Sequence, residues 1–275
     1  MHIWCLGNNY TLSLDKEAIL MGILNITPDS FSDGGENFSS HTAINRTEIM
    51  IEEGAKIIDI GGESTRPEAH KIDSEIEQQR ILPILQELIK THSETIFSID
   101  TYNASTAQKA LEQGAHIIND IWGLQYDPAM AEIIAHYGAG VIIMHNSRDR
   151  DCLADPIEDQ RYFFEKSLNI AKKANIKESQ IALDPGFGFG KNYETNIEIM
   201  KKAHQLKQFG FPLVAATSRK RFLGTLTDCP DPKARDYATA FSSILLYQSG
   251  FSIFRVHNVK INHGALLMAN MFSPQ

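Results

Sequence analysis

Eight short apolar runs recur along this chain, most of them closing on a polar or charged residue, and that repeat limits the possible folds more than any other feature. They are Ile19–Asn25, Ile57–Gly61, Ile96–Asp100, His116–Asp120, Val141–His145, Ile181–Asp184, Leu213–Ala216 and Ile253–His257. Runs this short, rich in β-branched residues and apolar almost throughout, suit strands covered on both faces of a parallel sheet. Between them lie helical patterns. Ile81, Leu85, Leu88 and Ile89 share one face, as do Phe164, Leu168 and Ala171, and as do Ala238, Phe241 and Leu245. Gly114, Gly138, Gly210 and Gly250 each stand where such a stretch should stop, and Pro83 predicts a kink or a second start inside the second helical pattern. Eight strand–helix units, the last helix running from about Ile261 to Phe272, predict an α/β fold: a single (β/α)8 TIM barrel over residues 1–275. An open doubly wound sheet is the alternative, but no dinucleotide fingerprint follows the first run. Residues 1–18 form a short N-terminal lead-in, expected to be a hairpin closing the barrel bottom.

The length of 275 residues suits one barrel, and 43% hydrophobic against 22% charged residues leaves enough apolar surface for a sizeable core. A net charge of -8 argues against nucleic acid or a membrane surface as partner. Cys5, Cys152 and Cys229 are widely spaced, with no CxxC pair, as expected of free thiols in a reducing compartment. The first residues lack the basic and apolar segments of a signal peptide, and no apolar run is long enough for a bilayer, which predicts a cytoplasmic protein.

In barrels of this kind chemistry gathers where strands end. The strand ends here carry Asn25, Asp59, Asp100, Asn119 with Asp120, His145, Asp184, Ser218 with Lys220, and Arg255 with His257. Any one of these suits a cap or a turn; together, so many polar groups need mutual partners or a ligand. Arg255 and His257 are two apart on a strand and point the same way, with Arg219 and Lys220 beside them and Arg66 on an earlier loop. Cations concentrated like this in an acidic protein point to an anion site, and phosphate is the usual guest. The carboxylates Asp100 and Asp184 suit a ligand rich in N–H donors, or a metal. The segment from Gly186 to Lys191 resembles a phosphate loop only superficially, because Asn192 stands where Ser or Thr is needed; it reads as a flexible loop offering two aromatics. The ten histidines show no zinc-ligand spacing, and most, such as His92 and His136, read as surface residues.

Taken together, seven segments resemble the dihydropteroate synthase family. They are Met21–Gly35, Asp59–Pro67, Ser98–Thr101, Asn119–Asp120, Asp184–Lys191, Ser218–Lys220 and Arg255–His257, in the family's order. The resemblance implies an enzyme of folate biosynthesis, a transferase in which p-aminobenzoate displaces diphosphate from 6-hydroxymethyl-7,8-dihydropterin diphosphate. It implies that Asp100, Asn119, Asp184, Lys220, Met144 and Phe189 hold the pterin. The diphosphate falls to Asn25, Thr65, Arg66, Arg255 and His257, and Mg²⁺ to Asn25. Phe31, Arg66, Pro67, Phe189, Ser218 and Lys220 would take p-aminobenzoate, with Asp100, Lys220, Asn25, Arg255 and His257 as the catalytic set. A homodimer is also implied, as is sulfonamide binding. Ala216, Glu68 and Asn258 depart from the common pattern. A pterin-dependent methyltransferase barrel would share the pterin pocket, but needs no diphosphate site. A silent pterin-binding homologue would bind without turnover.

Overall fold

The computed structural model describes residues 3–14, 17–26, 36–63 and 71–272, the side chains of 36–40 excepted. Phe31, Thr65, Arg66, Pro67 and Glu68 lie outside the described residues.

The lead-in is the expected hairpin: β1 (Ile3–Cys5) pairs antiparallel with β2 (Thr11–Ser13), Trp4 opposite Leu12. Eight parallel strands follow, namely β3 (Ile19–Asn25), β4 (Ile57–Gly61), β5 (Ile96–Asp100), β6 (Ile117–Asp120), β7 (Gly140–Met144), β8 (Ile181–Asp184), β9 (Val214–Ala215) and β10 (Ile253–Val256). They pair in the order β8-β7-β6-β5-β4-β3-β10-β9. A parallel bridge from Leu183 to Leu213 joins the two ends, and Leu183 N donates to Pro212 O at 2.8 Å, so the sheet closes on itself. The doubly wound alternative is thereby excluded.

The helices are α1 (Glu36–Glu52), α2 (Ser74–Thr91), α3 (Ala104–Gln113), α4 (Met130–Tyr137), α5 (Pro156–Lys173), α6 (Tyr193–Lys201), α7 (Arg221–Leu226), α8 (Asp236–Gln248) and α9 (Val259–Phe272). Nine helices therefore stand among the described residues where the repeat predicts eight; α7 and α8 both lie between β9 and β10. The four expected stop glycines all have positive φ, from 61° to 112°, a left-handed turn that costs glycine nothing. Pro83 sits inside α2, which runs on past it without a second start.

The stripe on α8 faces away from the barrel. Phe241 and Leu245 on α8 are 68% and 56% exposed, so the apolar stripe looks outward. The face turned to the barrel is Thr239, Ala240, Ser242, Ser243 and Leu246. Small hydroxyl residues let α8 approach closely, with Thr217 Oγ1 2.7 Å from Ser242 Oγ, and Ser243 donating to Asn262 Oδ1 at 2.8 Å. Periodicity finds a stripe but does not say which way it faces.

Strand parity organises the interior. Alternate side chains point outward to the helices, among them Ile58, Ile60, Phe97, Ile99, Ile118 and Phe254. The others point inward, and at the lower end they form a separate apolar layer of Met21, Ile57, Ile96, Ile117, Ile142, Ala182, Val214 and Ile253. The hairpin delivers Trp4, Leu6 and Leu14 onto this layer, and Trp4 Nε1 satisfies itself on Gln180 O at 2.9 Å. The barrel bottom is a packed apolar floor.

Candidate active site

Two residues above the floor, the same inward positions turn polar. Asp59 follows Ile57, Ser98 and Asp100 follow Ile96, Asn119 follows Ile117, Asp184 follows Ala182, and Arg255 follows Ile253. Parity thus sorts the polar strand ends. Asp120 and His145 have the opposite parity and face away. Asp120 takes the N–H groups of Trp122 (2.8 Å) and Leu124 (2.7 Å) and forms a turn. His145 lies in a buried group with Asp159 at 3.0 Å and Arg150 at 2.8 Å. Burial holds its ring at about 3, hence uncharged.

Arg255 is the hub of the interior. Its Nε donates to Asp59 Oδ2 and its Nη2 to Asp100 Oδ2, each at 2.6 Å, while Asn119 Nδ2 donates to Asp59 Oδ2 at 3.2 Å. Burial draws the guanidinium down, but Asp59 and Asp100 more than offset this and hold it protonated. Burial lifts the Asp100 carboxyl well above its usual range, with Arg255 pulling down and Asp59 pushing up. Asp59, fully buried, was a visible strand-end carboxylate to which the resemblance gave no role; here it orients both Arg255 and Asn119.

Opposite stand Asp184 and Lys220. Asp184 Oδ1 accepts Gly186 N–H at 2.7 Å, and burial raises its carboxyl. Lys220 Nζ donates to Phe187 O at 2.6 Å and lies 4.2 Å from the centre of the Phe189 ring. Burial lowers the Lys220 ammonium to about 7, with Asp184 resisting. Tyr102, Ile121, Met144 and Phe189 make an apolar wall beside these groups, with Trp122 packed on it. Met144 and Phe189 are thus brought together as expected. Ile121, an apolar residue past a strand end, carries no polar signal, and Tyr102 turns its hydroxyl to Glu63 Oε2 at 2.9 Å, so the sequence marks neither as part of this wall.

The loop carrying Phe189 is built tightly, and the expectation of flexibility does not hold. Lys191 Nζ donates to the carbonyls of Gly186 (2.8 Å), Phe189 (3.3 Å) and His145 (3.4 Å), an ammonium spent on backbone and not on phosphate. Gly186 has φ +65°, and a methyl there would stand 1.9 Å from His145 O. Only glycine fits this turn.

At the β9 and β10 ends, Ser218 Oγ lies 2.8 Å from His257 Nδ1 and accepts the His257 backbone N–H at 3.1 Å. Burial, then Arg219 and Arg255, hold the His257 ring at about 3. Arg219 itself leaves the anion cluster: its Nε and Nη2 grip Asp236 at 2.6 and 2.8 Å. Its backbone has φ +58°, unusual outside glycine, and this twist turns Arg219 outward between Ser218 and Lys220. Asn258 joins the same anchor through Asp236 Oδ2 at 2.9 Å. Asn25 is half-buried at the end of β3, opposite Gly61. A Cβ on Gly61 would stand 3.6 Å from Asn25 Oδ1 and 3.7 Å from Asp100 Oδ2, so the missing side chain leaves these two groups facing one gap.

The ring therefore offers carboxylate and amide acceptors and one lysine on one side, and a guanidinium, an imidazole and the Asn25 amide on the other. Comparison with known proteins shows the family. Residues 21–257 match the family model described as pterin binding enzyme. The chain is 44% identical over 252 residues to the dihydropteroate synthase of Bacillus subtilis, covering 90% of this chain and 86% of that one. Among solved structures, the Clostridium difficile dihydropteroate synthase in the presence of pteroic acid superposes with TM-score 0.90 at 40% identity, over 94% of this chain and 98% of that one. The Xanthomonas albilineans dihydropteroate synthase with 4-aminobenzoic acid gives 0.91 at 33% identity, over 98% and 99%.

Proposed function

The chain belongs to the dihydropteroate synthases of the pterin-binding enzyme family, and from that premise we propose how its barrel mouth divides the reaction. The activity is a transfer: p-aminobenzoate joins 6-hydroxymethyl-7,8-dihydropterin diphosphate to give 7,8-dihydropteroate and diphosphate. The observation that carries the assignment of roles is the inward polar ring above an apolar floor, with Arg255 bridging Asp59 and Asp100.

In our reading, Asp100, Asn119, Asp184 and Lys220 hold the pterin. Carboxylates accept from its amino and ring N–H groups, and Lys220 donates to a ring acceptor. Phe189 and Met144 supply the apolar wall. Arg255, His257 and Asn25 receive the diphosphate, along with Thr65 and Arg66. Arg255 already spends two N–H groups on carboxylates, so an arriving diphosphate competes with Asp59 and Asp100 for the same cation. Phe31, Arg66, Pro67, Phe189, Ser218 and Lys220 serve p-aminobenzoate.

Asn25 suits Mg²⁺ as a single neutral oxygen beside an open gap, because this ion prefers few protein ligands and several phosphate and water oxygens. Bound there, it would neutralise charge on the diphosphate. The protein's own part is to orient the leaving group and keep water from the reacting carbon.

We favour a dissociative course. The methylene carbon–oxygen bond breaks first, the electron pair leaves with diphosphate, the amine lone pair then forms the carbon–nitrogen bond, and the proton the amine sheds passes to diphosphate or water. Asp100 would stabilise the positive charge that spreads into the pterin ring. Pterin diphosphate labelled with ¹⁸O in the bridging position should scramble its label on the enzyme without p-aminobenzoate; retention of the label rejects this order.

The function itself is tested by incubating the protein with pterin diphosphate, p-aminobenzoate and Mg²⁺. Dihydropteroate and diphosphate should appear together, and pterin binding without turnover would mark a silent homologue. Sulfonamides should compete with p-aminobenzoate, and indifference to them would remove the assignment of Phe189 and Ser218 to that substrate.

A homodimer is the assembly we propose, since Tyr237, Phe241 and Leu245 on α8 and Leu267, Met268 and Met271 on α9 expose adjacent apolar stripes. Sedimentation should return twice the 30.8 kDa chain mass. A cytoplasmic location is likewise a proposal, supported by three free cysteines. Among the described residues no helix is long and apolar enough to cross a membrane.

A further inference from the structure

We propose that Ser218 is a positioning residue that fixes the tautomer of His257, placing the ring proton on Nε2 so that the imidazole meets the leaving diphosphate as a hydrogen-bond donor. The inference rests on the reading of His257 as a diphosphate residue.

The argument is a count of protons. Ser218 Oγ already accepts one bond, from the His257 backbone N–H at 3.1 Å. Its own hydroxyl proton needs an acceptor, and the side chain is nearly enclosed, at 8% exposure. The second polar atom within reach is His257 Nδ1, 2.8 Å away. If Nδ1 carried the proton, it would donate to an oxygen already accepting, and the hydroxyl proton would be left with no partner among the described residues. A buried donor left unpaired costs roughly 1–3 kcal/mol. The other arrangement satisfies every group: Ser218 donates to Nδ1, and the neutral ring carries its single proton on Nε2.

The surroundings keep the ring neutral. Burial opposes a charge on it most, Arg219, Arg255 and Arg46 disfavour one as well, and Asp236 favours one. A neutral ring is useful to an anion only in one of its two forms. With a bare Nε2 it would present a lone pair to the phosphate oxygens; with Nε2–H it donates. Ser218 therefore sets the sign of the contact that His257 makes, from a residue that the family resemblance places with the other substrate. Both come from one local design, because the turn at Arg219, anchored on Asp236, brings Ser218 beside the β10 end.

The test is long-range ¹H–¹⁵N correlation spectroscopy of the histidine-labelled full chain without ligands, run on the wild type, Ser218→Ala and Ser218→Thr. The wild type should show His257 protonated on Nε2 alone. Ser218→Ala should show both tautomers, and Ser218→Thr, which keeps the hydroxyl, should restore the single form. A wild-type ring protonated on Nδ1, or an alanine variant that keeps pure Nε2–H, overturns the proposal. Kinetics supply the second readout. Losing one oriented hydrogen bond in Ser218→Ala should raise KM for pterin diphosphate roughly tenfold, in addition to whatever KM for p-aminobenzoate loses with its own Ser218 contact, and Ser218→Thr should restore the pterin diphosphate value. A rise confined to p-aminobenzoate overturns the positioning role. The spectra need no turnover, so an inactive wild type would refute the functional reading without touching the tautomer.

Discussion

Replacing Asp59 by Asn isolates what the buried carboxylate does, because the side chain keeps its size and loses only charge. Two bonds change. Arg255 Nε loses a charged acceptor at 2.6 Å, and Asn119 Nδ2 loses its acceptor at 3.2 Å or must share a carboxamide oxygen. The new NH₂ group must then occupy the site of Asp59 Oδ1, which is buried without a partner. Removing one partner of a buried ion pair costs about 3–5 kcal/mol. Asp100 still holds Arg255 Nη2, so the lower end of that range applies, about 3 kcal/mol. Urea unfolding should show the loss as a lower midpoint at an unchanged slope. In turnover, a misaligned Asn119 should raise KM for pterin diphosphate roughly tenfold, the equivalent of one hydrogen bond. A stability change below about 1 kcal/mol together with an unaltered KM would refute the reasoning, since Arg255 and Asn119 would then be held by other groups.

Three further expectations follow from the same geometry. Trp4→Ala should cost about 3–5 kcal/mol in urea unfolding, because it empties the centre of the floor and strands Gln180 O; the loss should leave KM values unaltered, as the polar ring lies a layer above. Gly186→Ala should cost at least 1–3 kcal/mol from the positive φ alone and weaken pterin binding, because the loop holding Phe189 and Phe187 O must shift; unchanged binding would contradict the tight loop. Lys191 is lowered by burial to about 7 from an ordinary 10.5, so between those values the unfolded chain binds the proton that the folded one has released, and stability gains as pH rises. Wild-type stability relative to Lys191→Met should therefore climb from pH 7 to about 10; a flat difference would show that Lys191 is not desolvated.

Much of this was legible in the chain. The eight strands announced themselves because a strand covered on both faces can afford few polar residues, and the stop glycines marked most of the returns. The hairpin lead-in was visible as residues left over before the first repeat. Parity was also readable: Ile57 and Asp59, Ile96 and Asp100, Ile253 and Arg255 stand at even spacings, which separates inward Asn119 from outward Asp120. Direction beyond a strand end was not. Ser218, Arg219 and Lys220 are three polar neighbours in sequence, and only the left-handed turn at Arg219 decides that the middle one leaves to meet Asp236. Nor could the outward stripe of α8 be told from an inward one, since what reverses it is a facing surface of serine and threonine that bonds to Thr217 and Asn262. Asp59 was visible but uninterpreted, because its importance lies in the partners it orients.

The floor of Trp4, Met21 and the isoleucines beneath the polar ring has a consequence for traffic. Among the described residues the barrel is closed by this apolar layer below, which leaves the polar end as the side from which substrates would enter. In the proposed reading, the pterin held by Asn119 and Asp184 is expected to arrive before the p-aminobenzoate at Ser218, because a filled rim would bar the way in. The substrate that enters last does not leave as it came: joined to the pterin, it departs with it as one product through the same opening.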